Sequence, residues 1–283
     1  MQMNKVNEAG DLVIAKESAD YSYLFGRNSQ YEVRAYIGDE TYNIINNVGG
    51  IGDQVSEVYV RSFSDGKYWN ESWTPQKASA EINQALLWDN QKRIPVAALL
   101  IYHGDDPEMA HLKEKVIGLS WGVLLENLEA LDQKRDFPFS LPKNSKKFGK
   151  KLFTAWARNF YQEERVLVYR EVAVHPDARK KGNPFIAHLA YPIVGRAWEL
   201  GYPVLMYWTN RKSPSVGLGL GLGWLPIYFW GDPADHLLIA GHTKPSSETM
   251  LTCLDKDKSV VKAGWETVIS RAIDFSERHP QPK

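Results

Sequence analysis

Residues 175–185 read HPDARKKGNPF and end an apolar run with three consecutive basic side chains, Arg179, Lys180 and Lys181, followed by Gly182, Asn183 and Pro184. A strand that feeds a short glycine-containing turn and then a helix presents unpaired backbone N–H groups and the positive end of a helix dipole. Such a junction suits a phosphate. The basic residues add full charge, Gly182 lets the backbone approach closely, and Pro184 falls where a missing N–H costs a helix nothing. The same residues also describe a solvated basic helix start with an ordinary first-turn proline. The turn is not a Walker loop, because no Lys-Ser or Lys-Thr follows the glycine, and it has no Gly-x-Gly-x-x-Gly fingerprint.

The chain around this turn has no global bias toward anions. Its 34 basic residues balance 34 acidic ones, so any basic site is local, and neither a nucleic acid nor a membrane surface is an expected partner. The single cysteine, Cys253, excludes an intramolecular disulfide and a cysteine-rich zinc site. His103, Asp105, Asp106 and His111 have irregular loop spacing, and no metal is expected. The start, MQMNKVNEAGDL, has no apolar signal core and no apolar run reaches the roughly 18 residues of a membrane span, so a cytoplasmic location is expected.

The elements that must position the turn can be read from periodicity. Short β-like runs, DLVIA, YEVRAYI and TYNII, predict a strand-rich N-terminal extension over residues 1–50. SEVYVRSF and TPQKASAEINQALLWDN read as two helices, the second capped by Thr74 with Pro75 at its first position. IPVAALLIYH and KVIGLSWGVLL read as adjacent strands, and ENLEALDQKRDFPFSLPKNSKKFGKK as a long surface insertion with a solvated lysine cluster. VLVYREVAV is a strand leading into the turn. Beyond it, Ile186, Leu189, Ala190, Ile193, Val194, Ala197 and Trp198 fall on one helical face, with Pro192 inside and Gly201 as the stop. PVLMYW, WLPIYFW and TMLTCL are further strands, SPSVGLGLGLG is a short glycine-weakened helix or loop, and 260–276 is a last amphipathic helix. This order predicts an α/β fold, with a core over 51–242 and a C-terminal strand and helix over 243–283 packing on it.

The run YREVAVHPDARKKGNPFIAHLA resembles the acyl-CoA-binding motif of the GNAT superfamily of N-acyltransferases through Val174, Pro176, Arg179 and Gly182. The likeness extends in order over about residues 52–232, including YWTNRKSPS and LGWLPI. It implies a mixed, mostly antiparallel central sheet flanked by helices, with acyl-CoA, either acetyl-CoA or a longer acyl-CoA, as co-substrate. Val172 and Val174 would pair with the pantetheine arm through their backbones. The N–H groups from Arg179 to Asn183 would cradle the pyrophosphate, Lys180, Lys181 or Arg211 would either reach outer phosphates or simply lie on the surface, and Asn210 would approach the pantetheine near the thioester. The activity implied is transfer of an acyl group to an amine, borne by a small molecule or a peptide, by direct attack in a ternary complex. A non-catalytic CoA-binding or scaffold protein of the same fold is the alternative, and a homodimer is left open.

Two positions depart from the pattern. Pro184 stands where the family usually has Gly or Ala, which removes one amide donor. Gly219 stands four residues before the Gly223-Trp224 pair, where many members place a tyrosine acid, so either the coenzyme A thiol leaves without an acid or Tyr207, Tyr228 or water supplies that proton. Glycines 217, 219, 221 and 223 would also leave room for a long acyl chain. Amine acylation needs a base, and Glu171 is the first candidate, with an ion pair as its other reading. Simple alternation places it with Tyr169, opposite Arg170 and Val172, and a bulge would change that parity. His175, read as a solvent-exposed loop residue, is the second candidate. Ser120, Trp121, Tyr68 and Trp69 would line the acceptor side or pack the core.

Overall fold

A computed structural model describes residues 19–25, 29–64, 72–86, 93–137, 141–179, 185–210, 213–231 and 234–244. The expected strands DLVIA and TMLTCL and the helix over 260–276 lie outside these residues. Among these residues eight strands form one sheet: β1 (Ala19–Asp20), β2 (Tyr31–Ile37), β3 (Arg93–Tyr102), β4 (Lys115–Leu125), β5 (Val166–Val174), β6 (Val204–Asn210), β7 (Leu225–Gly231) and β8 (Ala234–His242). Their order is β1-β2-β3-β4-β5-β6-β8-β7, and every adjacent pair is antiparallel except β5 with β6. The expected mixed, mostly antiparallel architecture is therefore the observed one. No described helix is long and apolar enough to cross a membrane.

Helices cover both faces. α1 (Asp39–Asn46), α2 (Ile51–Phe63), α3 (Pro75–Ala85) and α4 (Lys143–Trp156) precede β5; α5 (Pro176–Arg179) and α6 (Phe185–Glu199) form the crossover that a parallel β5–β6 pair requires, and α7 (Pro214–Gly221) follows β6. The Thr74 hydroxyl accepts the Lys77 N–H, with Pro75 next, as the sequence predicts for the start of α3. On one face α6 buries Leu189, Ala190, Ile193 and Val194 against Val96, Leu100, Tyr169 and Tyr207. On the other, Val55 and Tyr59 of α2 and Ala78 and Ile82 of α3 cover Leu99, Leu119 and Trp121, while Phe153 of α4 packs with Val168, Met206 and Trp208. Each fully buried aliphatic side chain contributes about 1.5–3 kcal/mol, so these layers fix the sheet.

Three expectations are corrected. TYNII belongs to α1: Asp39 and Glu40 occupy its first turn, and Thr41 and Ile45, four apart, are buried. The lysine-rich insertion contains α4, because Gly149, Phe153 and Ala157 recur every fourth residue on a buried stripe among the lysines. Trp198 is 37% exposed at the margin of the α6 stripe, where its ring meets His242 and Lys244 instead of the core. Gly201 ends the crossover as expected, with φ at 83°.

Two charged clusters tie loops to the sheet. Arg93 donates to both carboxylate oxygens of Asp136, at 2.9 and 2.5 Å, and to the Ala130 carbonyl, while Asp136 also accepts the Asp132 N–H. At the far end of β3, His103 meets Glu32 at 2.9 Å through Nε2 and Glu114 at 2.8 Å through Nδ1, an arrangement both ring nitrogens satisfy as donors only in the imidazolium form. Partial burial opposes that charge, but the hydrogen bonds to Glu114 and Glu32 outweigh it and raise the pKa. A raised histidine pKa stabilises the fold fully below its unfolded value and loses that contribution as pH rises through the folded one. Denaturation at a series of pH values should show wild type losing its advantage over His103→Gln as pH rises above the ordinary histidine value of about 6.5; a constant difference would refute the pairing.

Candidate active site

The site begins with a register slip. Trp121 of β4 faces Glu171 while the next residue, Gly122, faces Tyr169, so Arg170 is an extra residue bulged out of β5. Glycine is needed there, since a Cβ on Gly122 would lie 2.8 Å from the Val168 carbonyl oxygen. The bulge inverts the alternation: Tyr169, Val172 and Val174 belong to the α6 face, and Glu171 stands on the face of Trp121 and Tyr59. The expectation that Glu171 shares a face with Tyr169 is thereby corrected.

Glu171 is set among aromatic and charged neighbours. Tyr59 of α2 lies beside it, and burial, with that carboxylate close by, pushes the Tyr59 phenol well above its usual pKa. Trp121 stacks on Tyr59 with centroids 5.5 Å apart and planes 6° from parallel. Beside them Arg170 pairs with Glu81 of α3 at 2.9 Å, so the bulged residue also pins α3. Tyr59 and Glu81 were not singled out in the sequence; their spacing within amphipathic helices looks like any other.

The second feature is a break in the sheet. β5 and β6 pair only over Val166–Val168 and Val204–Met206, and the two strands then part. The His175 N–H donates to the Ile117 carbonyl on β4, so alternation turns the backbone groups of Val172 and Val174 to the opposite edge, into the gap. The Val174 carbonyl already accepts from Ser62 Oγ at 2.9 Å and Arg179 Nε at 2.6 Å, leaving its N–H as the group directed there. Arg179 also reaches the Ser62 carbonyl, so its guanidinium braces the end of β5 against α2. Lys180, Lys181, Gly182, Asn183, Pro184, Arg211, Tyr68 and Trp69 lie outside the described residues.

His175 is corrected from exposed to 3% exposed. Its Nδ1 accepts the Asp177 N–H, and burial lowers its pKa against the opposing pull of Asp177. Asn210 ends β6, nearly buried, beside the gap.

Tyr207 lies on the face opposite Glu171, edge-on to Tyr169 at 6.2 Å, with Ser120 donating to the Tyr169 hydroxyl. Its own hydroxyl donates to the Ser215 carbonyl at 2.6 Å, and burial holds the phenol well above its usual pKa. The two expected catalytic side chains are therefore not brought together, and the Tyr207 proton is engaged. Gly219 is not open space for an acyl chain either: a Cβ there would sit 2.6 Å from the Tyr207 hydroxyl and 3.0 Å from the Trp224 ring. Gly219→Ala should cost about 1–3 kcal/mol, and Tyr207→Phe in the same chain should recover part of it in a double-mutant cycle followed by urea denaturation; strict additivity would refute the contact.

No protein-family model and no curated protein matches the chain. Among solved structures it is similar to a mosquito arylalkylamine N-acetyltransferase like 5b (14% identity, 74% of this chain and 99% of that one, TM-score 0.42). It is also similar to a GNAT-superfamily phosphinothricin acetyltransferase from Sinorhizobium meliloti in complex with acetyl-CoA (15%, 76% and 89%, 0.40). A third is the N152L mutant of the spermidine N-acetyltransferase of Vibrio cholerae (13%, 77% and 97%, 0.39).

Proposed function

We propose that this chain is an acyl-CoA-dependent N-acyltransferase of the GNAT type, moving an acetyl or longer acyl group to an amine on a small molecule or peptide. The observation that carries the reading is the gap between β5 and β6, which opens where Val172 and Val174 turn their backbone groups outward and runs toward the basic turn. A pantetheine arm is an extended chain of amides, and a strand edge without a neighbouring strand offers it the partners a strand would use. The diphosphate would then reach the turn of Arg179, Lys180, Lys181, Gly182 and Asn183, with Asn210 near the thioester.

Glu171 takes the proton from the attacking amine on the α2 face. The new C–N bond forms as the C–S bond breaks, and the departing sulfur keeps the electron pair until it is protonated. The single cysteine is not required, since the acyl group passes directly to the amine.

The test is calorimetric titration with acetyl-CoA and a longer acyl-CoA, with transfer to hydroxylamine followed by release of the CoA thiol. Binding is expected with both, and at 100-fold excess over Kd the fold should gain about 2.7 kcal/mol. A folded chain indifferent to both thioesters overturns the reading. Gly219, which supplies no phenol, favours the second reading, a CoA-binding protein without catalysis; binding with no transfer would select it.

A further inference from the structure

Beside the buried stripe of Gly149, Phe153 and Ala157, α4 and the π-helical turn that continues it to Tyr161 carry a second stripe, Phe148, Leu152, Trp156 and Phe160, spaced by four. Phe148 is 52% exposed and Phe160 is 75% exposed, so both ends of this stripe face water.

The stripe is one wall of a wider apolar strip. Phe148 packs on Tyr228 of the edge strand β7 with ring centroids 5.1 Å apart, and Leu225, which opens β7, is 55% exposed. At the other end Trp156 meets Tyr161 at 4.7 Å, Tyr161 meets His242 at 5.4 Å, and His242 meets Trp198 at 6.1 Å. Aromatic rings left in water over such a length mark a contact surface.

The course of the chain identifies what makes the contact. β8 ends at His242, and Lys244 holds its Nζ 5.4 Å from the centroid of the Trp198 ring, so residues 245–283 continue from the strip itself. The helix expected over 260–276 has one apolar face, made by Val261, Trp265, Val268, Ile269, Ala272 and Ile273. That face is about 18 Å long from Val261 to Ile273, the α4 stripe is about as long from Phe148 to Phe160, and residues 245–259 span up to about 50 Å when extended. The lengths match, and the reach is ample. A helix of this size is marginal alone in water and needs a surface for its apolar face.

We infer that the helix over residues 260–276 docks lengthwise, apolar face inward, on the strip between α4 and β7. The occupant is this chain's own tail, because a segment tethered at the strip has an effective concentration there that a second molecule does not reach. Docking covers Phe160 and Leu225 and shields the edge strand β7 from pairing with another chain.

The experiment follows trypsin cleavage after Arg271 in the folded full chain by mass spectrometry, for wild type, Phe160→Asp, Trp265→Asp and the double variant. Cleavage requires the helix to leave the surface, so its rate reads the undocked fraction. Each single variant should be cut about tenfold or more faster than wild type, and the double variant no faster than the quicker single one. The wild-type rate should hold over about a 100-fold dilution. Wild-type cleavage as fast as in Trp265→Asp overturns the docking, and acceleration by Trp265→Asp alone overturns the strip as its place. Protection that fades on dilution assigns the strip to the tail of a second copy and overturns the intramolecular contact. Phe160 is largely exposed, so its replacement leaves the fold intact; should Trp265→Asp not fold, Val268→Ser is read in the same way.

Discussion

Glu171→Gln should slow transfer from acetyl-CoA to hydroxylamine by about 10²–10⁴-fold while leaving acetyl-CoA affinity within about threefold, because it removes a base and keeps the shape. The location of Glu171 makes this outcome specific. The carboxylate lies beside Tyr59 and across from Trp121, away from the α6 face and from the strand edge proposed for the pantetheine. Glutamine keeps the size of the side chain and an oxygen beside Tyr59, so the local packing survives. A variant with undiminished kcat would assign Glu171 to structure alone, and lost acetyl-CoA binding would place its role in cofactor affinity.

Asp136→Ala should destabilise the fold by about 3–5 kcal/mol, because it strands a buried guanidinium. Arg93 and Asp136 are 3% and 0% exposed, so solvent screens the pair little. Asp136 also receives the Asp132 N–H, so the same change frees the loop that leads to α4. Replacing both partners together, Arg93→Met with Asp136→Leu, should recover much of the loss, since the desolvation cost leaves with the pair. Urea denaturation of the single and double variants checks both statements. A loss below about 1 kcal/mol in the single variant would show that the loop relaxes to let water reach Arg93.

Much of the sheet was legible because its strands are apolar runs bounded by turn residues: VLVYREVAV is β5 over its whole length, and YEVRAYI is β2. The α6 stripe was legible for the same reason. α4 was not, because its buried stripe includes Gly149, whose value lies in letting the Trp208 ring come close; a Cβ there would be 2.8 Å from that ring. Periodicity counts apolar side chains and cannot score a contact made by their absence. The five residues TYNII are too few to separate a period of 2 from one of 3.6. Within the site, Val172, Val174, Glu171 and Asn210 could be listed from the sequence, but the face Glu171 occupies depends on Arg170 bulging opposite Gly122, two residues distant in sequence and adjacent only across the sheet. From the sequence SPSVGLGLGLG read only as a short glycine-weakened helix or loop, and the Ser213 cap came with the structure.

The parting of β5 from β6 also gives the molecule a mechanical character. Five antiparallel strands lie on one side of that line and three on the other, and the two plates are stitched by three residue pairs at a single corner. Helices span that line: α6 packs on Tyr169 of the first plate and Tyr207 of the second, and Phe153 of α4 meets Val168 of the first and Met206 of the second. Beyond Val166–Val168 the plates are joined by packed side chains and not by a ladder, so the width of the gap is set by the volumes of those side chains. On the reading proposed above, the breadth of thioester that fits would then be governed by core packing as much as by any side chain lining the gap.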